Sequence, residues 1–66
     1  MKKFYEYEIR YFNNKNGEQT SEIEYSKLYA IKKYIELLTS DLDISNLAIY
    51  RNAIDITANI NKYLMK

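Results

Sequence analysis

The chain has 66 residues, a net charge of +1, and no Cys, His, Pro or Trp, with a single Gly. That composition excludes disulfide scaffolds, thiolate or imidazole metal sites and His- or Cys-based nucleophilic catalysis, and a chain of this length buries only about 60% of its unfolded surface. One small α+β domain over residues 1–66 is expected, with a core stability of about 3–5 kcal/mol that self-association would supplement.

Ile, Lys, Tyr and Asn make up 32 of the 66 residues, while Val is absent. Codons for these four carry only A or T in their first two positions, so the expected source is a low-GC bacterium or one of its phages or mobile elements. The same bias weakens any functional meaning of the Tyr and Lys content. Charge is spread: residues 1–33 hold seven basic and five acidic side chains, and residues 34–66 hold three and four. Neither half has the excess of a dedicated DNA binder.

Met1-Lys2-Lys3 leads into Phe4-Tyr5-Glu6-Tyr7-Glu8, too charged for a signal-peptide apolar region, and no window approaches 18 apolar residues. A cytoplasmic protein without membrane contact is expected, in the host cytoplasm if viral. Along residues 4–12 the period is two, with Tyr5, Tyr7, Ile9 and Tyr11 on one face and Glu6, Glu8 and Arg10 on the other, which predicts a strand.

A hairpin over residues 3–25 is predicted around Gly17, with Lys15-Asn16-Gly17 as a three-residue loop. That loop pairs Ile9 with Ile23, Tyr7 with Tyr25 and Arg10 with Glu22, and leaves Glu8 opposite Glu24. A two-residue Asn16-Gly17 turn is worse, because it sets Tyr11 against Glu22 and Ile9 against Glu24. The rival for this stretch is a helix beginning at Ser21, since Ser21-Glu22-Ile23-Glu24 fits a capping box.

From Ser26, a plausible N-cap, the period becomes helical, and a helix over about 26–39 is predicted with Leu28, Ile31, Tyr34, Ile35 and Leu38 at helical spacing, closed by Thr39-Ser40-Asp41. Leu28, Ile31, Ile35 and Leu38 form the expected core stripe. Tyr29, Lys33 and Leu37 form a second stripe, more than a surface helix over a single sheet needs.

Residues 42–66 allow two readings. The preferred one has a third strand near 46–51, a tight connection at Arg51-Asn52-Ala53, a short fourth strand through Ile54-Asp55-Ile56, and a C-terminal helix capped by Thr57 with Ile60, Tyr63 and Leu64 inward. β-branched and aromatic enrichment favours it. The rival is one long helix from Asn46 to Leu64.

The chemistry-bearing constellations are few. Asp41 and Asp43, with Asn46 nearby, lack the glycine and distal glutamate of a calcium loop and read as turn residues. Ser21, Ser26, Ser40 and Ser45 read as caps and turn residues. No enzyme, metal or cofactor is expected.

The leading expectation is a small non-enzymatic binding or regulatory protein acting by protein–protein contact, as a homodimer or as a phage or mobile-element inhibitor of a host protein. Its contact residues would be Tyr29, Lys33, Leu37, Phe4 and Phe12. The alternative is nucleic-acid or nucleotide binding through Tyr side chains and Lys2, Lys3, Lys32 and Lys33. Against base stacking, Tyr5, Tyr7 and Tyr11 share the face that the helix must cover.

Overall fold

The computed structural model describes residues 5–65. Four strands and two helices follow in the order β1 (Tyr7–Asn13), β2 (Glu18–Glu24), α1 (Lys27–Leu38), β3 (Ile44–Arg51), β4 (Ile54–Asp55) and α2 (Thr57–Leu64). The sheet is antiparallel, ordered β2-β1-β3-β4, and both helices pack on one face of it. This is the α+β layout expected from the sequence, and the long-helix and Ser21-helix readings are both excluded.

The β1–β2 turn is one residue longer than expected. Asn13 draws the chain round: its side-chain oxygen accepts from the backbone N–H groups of Lys15 (3.0 Å) and Asn16 (3.4 Å), and its carbonyl accepts from Gly17 at 2.8 Å. Gly17, at φ 71°, supplies the left-handed residue that brings the chain back to Glu18. The loop therefore holds residues 14–17, and Ile9 faces Glu22, Tyr7 faces Glu24 and Arg10 faces Ser21, not the predicted Ile23, Tyr25 and Glu22.

A one-residue shift exchanges the two faces of a strand. It moves Ile23 to the side away from the helices, 42% exposed, and turns Glu22 and Glu24 toward the helix side. β2 tolerates this because it is an edge strand, where a carboxylate on the helix side still reaches water.

β3 begins two residues earlier than predicted and carries a bulge. Its pairing with β1 slips between Arg10 and Phe12, and Asn46 takes up the extra residue at φ 56°. Leu47 and Ile44, three apart in sequence, therefore both pack against the core. Strict alternation would have put one of them outside.

β3 and β4 are joined by Asn52-Ala53, both at positive φ (50° and 68°), the backbone of a two-residue hairpin turn with the strands' own twist. Asn52 also pairs with Glu6, donating its N–H to the Glu6 carbonyl and accepting the Glu6 N–H on its side chain, each at 2.8 Å.

Ser26 caps α1 by accepting the Tyr29 N–H at 3.4 Å, as the sequence implies. At the other end the Thr39 and Ser40 hydroxyls each donate at 2.9 Å to the carbonyls of Ile35 and Leu37. Thr57 has a different role from the cap expected of it: its hydroxyl accepts the Ile49 N–H at 2.9 Å and donates to the Ile49 carbonyl at 3.3 Å, tying α2 to β3. The cap position is Ile56, which offers no side-chain acceptor.

Tyr7 and Ile9 from β1, Ile49 from β3, Ala30, Tyr34 and Leu37 from α1, and Ile56 and Ile60 at α2 form the buried core. Tyr63, expected inward, is 66% exposed, while Leu64 is half-buried. Ala53 is the one non-glycine residue of the β3–β4 turn without a polar side chain to offset its left-handed backbone, which costs roughly 1–2 kcal/mol. Ala53→Gly is therefore expected to raise unfolding stability by roughly 0.5–1 kcal/mol, measured by urea denaturation, after the extra unfolded-state entropy of glycine is offset.

Candidate apolar contact surface on the first helix

α1 is rotated by one residue step, roughly 100°, from the orientation its sequence suggests. The buried positions are Ala30, Tyr34 and Leu37. Leu28 is 74% and Leu38 52% exposed, and Ile31 and Ile35 are half-buried. The expected core stripe thus points outward at Leu28 and Leu38 while Ile31 still packs against the core, and one residue assigned to the contact surface, Leu37, is 7% exposed and belongs to the core.

Side-chain size and one hydrogen bond explain the choice. Ala30 has no side chain beyond Cβ to hold the helix off the sheet, which lets the backbone approach Ile9 and Ile49. Tyr34 then fills the space beside it at 1% exposure, and its hydroxyl donates to the Asn61 side-chain oxygen on α2 at 2.6 Å. With Leu28, Ile31, Ile35 and Leu38 inward, that phenol would lose both its burial and its partner.

The helix edge is also held from the β2 side. Glu22, turned toward α1 by the register shift, lies 3.2 Å from the Lys33 ammonium and accepts from the Tyr11 hydroxyl at 3.4 Å. Glu22 raises the Lys33 pKa above its ordinary value. The Tyr11 phenol is also pushed up, mainly by burial and then by the nearby Glu22 charge. Lys33 is therefore a pinned, half-buried cation and no free rim charge.

The other expected contact residues are dispersed. Tyr29 is 61% exposed, on the flank of α1 next to Leu28. Phe12 is half-buried on the opposite face of the sheet, where Arg10 bonds Glu8 at 2.8 Å and lies 4.2 Å over the Tyr50 ring. That ion pair holds the Glu8 carboxyl below its ordinary range. Phe4, Lys2 and Lys3 lie outside the described residues. Lys32 is exposed on α1.

Asp43 is occupied structurally, accepting the Asn14 side-chain amide at 3.0 Å. Among the described residues no group of His, Cys, Asp or Glu side chains is arranged to hold a metal ion. No described helix is long and apolar enough to cross a membrane.

The residues that sequence reasoning missed as surface are Leu28, Ile31, Ile35 and Leu38. Their 3-4-3 spacing is that of a coiled-coil seam, and Leu28, Ile31 and Ile35, with Lys32 and Glu36 beside them, line a shallow apolar hollow of about 350 Å3. Comparison with known protein families, curated proteins and solved structures finds no match to this chain.

Tyr34 gives the rotation of α1 a measurable pH signature. Burial pushes its phenol pKa up, so the stability it contributes is complete below the ordinary tyrosine value of about 10 and is lost as pH rises through the raised value. Tyr34→Phe is expected to lower stability by about 1 kcal/mol at neutral pH, because Asn61 loses its donor, and to soften the alkaline fall in urea midpoint above about pH 10.

Proposed function

We propose that this chain is a small non-enzymatic binding protein that works by protein–protein contact through the outer seam of α1, in the first place with a second copy of itself. The observation that carries the proposal is the apolar row Leu28, Ile31, Ile35 and Leu38 at heptad spacing, with Leu28 and Leu38 exposed and Ile31 and Ile35 half-buried, on a helix that already supplies the core through Ala30, Tyr34 and Leu37. A surface helix that served only its own domain would be polar there.

The seam suits a two-fold antiparallel contact. Leu28 of one copy would meet the partner's Leu38 and Ile31 the partner's Ile35, with Lys32 on the flank close to the partner's Glu36, so like residues recur symmetrically and opposite charges meet. From Leu28 to Leu38 the seam is about 15 Å long. A contact of that length is small for a stable dimer, so dissociation on dilution is part of the expectation. A phage or mobile-element inhibitor of a cytoplasmic host protein is a concrete form of the same reading, supported by small size and an abundance of Ile, Lys, Tyr and Asn.

The nucleic-acid reading stands second. Of its proposed cations, Lys33 is engaged by Glu22 and Lys32 stands beside Glu36, which leaves little concentrated positive potential on α1.

Light scattering across a dilution series, at low and high salt, tests the proposal. The native chain is expected to pass from dimer to monomer on dilution with little salt dependence, and the Leu28→Glu/Leu38→Glu variant to remain monomeric at every concentration. Both side chains are exposed, so the variant's urea midpoint should correspond to a stability within about 0.5 kcal/mol of the native value. A native chain that is monomeric throughout would overturn self-association. A species with bound nucleic acid that salt strips away would put the second reading first.

A further inference from the structure

The helix layer holds a second feature, distinct in chemistry from the seam. Between the N-terminal turns of α1 and α2 lies a cavity of about 290 Å3, with Ile31, Ile56 and Ile60 as its apolar floor and Lys27, Arg51 and Tyr7 among its lining. No carboxylate lines it. Neither Lys27 nor Arg51 has an acidic partner among the described residues, the Arg51 guanidinium lying instead 5.3 Å over the Tyr5 ring.

Tyr7 lines the cavity from β1 and is only 3% exposed. At the start of α2 the Asp55 carboxylate accepts the Thr57 N–H at 2.8 Å, and Asn59 of the first turn lines the cavity.

We propose that this cavity binds a medium-chain monocarboxylate, its head between Lys27 and Arg51 and its tail over Ile31, Ile56 and Ile60. At roughly 30 Å3 per methylene, about the volume of a water, a chain of about eight carbons fits within the 290 Å3 of the cavity. The head group follows from charge, because two unpaired cations on an apolar floor favour an anion over a neutral alcohol. Ile31 belongs to both features, but the proposal does not depend on self-association.

Two-dimensional NMR of the native chain titrated with octanoate, octanol and acetate tests it. Octanoate should shift signals of Tyr7, Ile31, Ile56 and Ile60 saturably, octanol should bind at least tenfold more weakly, and acetate should leave them unmoved. Lys27 and Arg51 are exposed, so Lys27→Gln/Arg51→Gln should keep the native spectrum away from the cavity while weakening octanoate at least tenfold, and Lys27→Arg/Arg51→Lys should restore most of the affinity. The Leu28→Glu/Leu38→Glu variant should bind octanoate as the native chain does, which separates this site from the seam. Octanol binding as tightly as octanoate, full affinity in the glutamine variant, or shifts confined to Leu28 and Leu38 would each overturn the proposal.

Discussion

The rotation of α1 about its own axis is the constraint on which the rest of the molecule depends, and Tyr34 sets it. A phenol at 1% exposure must keep a hydrogen-bond partner, and the Asn61 side chain on α2, 2.6 Å away, is that partner. The bond fixes α1 against the sheet and α2 against α1 in one step. Ala30 makes it geometrically possible by letting the helix approach Ile9 and Ile49. Once that side is committed to the core, Leu28 and Leu38 must face outward with Ile31 and Ile35 half-buried between them, and the cavity must lie between the first turns of the two helices.

The sheet contributes three local irregularities, each with a polar residue at its centre. Asn13 lengthens the first turn, Asn46 accommodates the bulge at a left-handed backbone, and Asn52 opens the last turn while bonding Glu6. Asparagine tolerates the left-handed backbone of positions 46 and 52 better than most residues other than glycine, and the chain has a single glycine. Three of the seven asparagines of the chain are thus put to structural use in the sheet. In so small a domain, each such turn is a sizeable share of total stability.

Much of the fold is legible in the sequence. The strand at Tyr7–Asn13 shows as a period of two, α1 as a change of period after a Ser26 cap, and the β3, turn, β4 and α2 succession as β-branched and aromatic runs broken at Asn52. Two things are not legible, and both concern which face points inward. The hairpin register depends on an Asn13 side chain curling back on its own loop, which cross-strand pairing does not encode. The rotation of α1 depends on a residue 27 positions away, Asn61, and on preferring a small alanine with a buried tyrosine over four larger aliphatics. Hydrophobic periodicity marks both stripes equally, so it finds the helix without finding its inner side. Of the candidate contact residues, Tyr29 is on the surface as the sequence suggests, whereas Leu37 is exchanged with its neighbour Leu38 by that same rotation.

Self-association through the outer seam of α1 is the central claim, and a mixed sample of 13C-labelled and unlabelled chains tests it most directly. Isotope-filtered NMR at millimolar concentration should show contacts between copies from the Leu28 methyls to those of Leu38 and from Ile31 to Ile35, the pairs an antiparallel two-fold seam brings together. Filtered spectra without those contacts, or with contacts between copies only from the Glu8, Arg10 and Tyr50 face of the sheet, would contradict it.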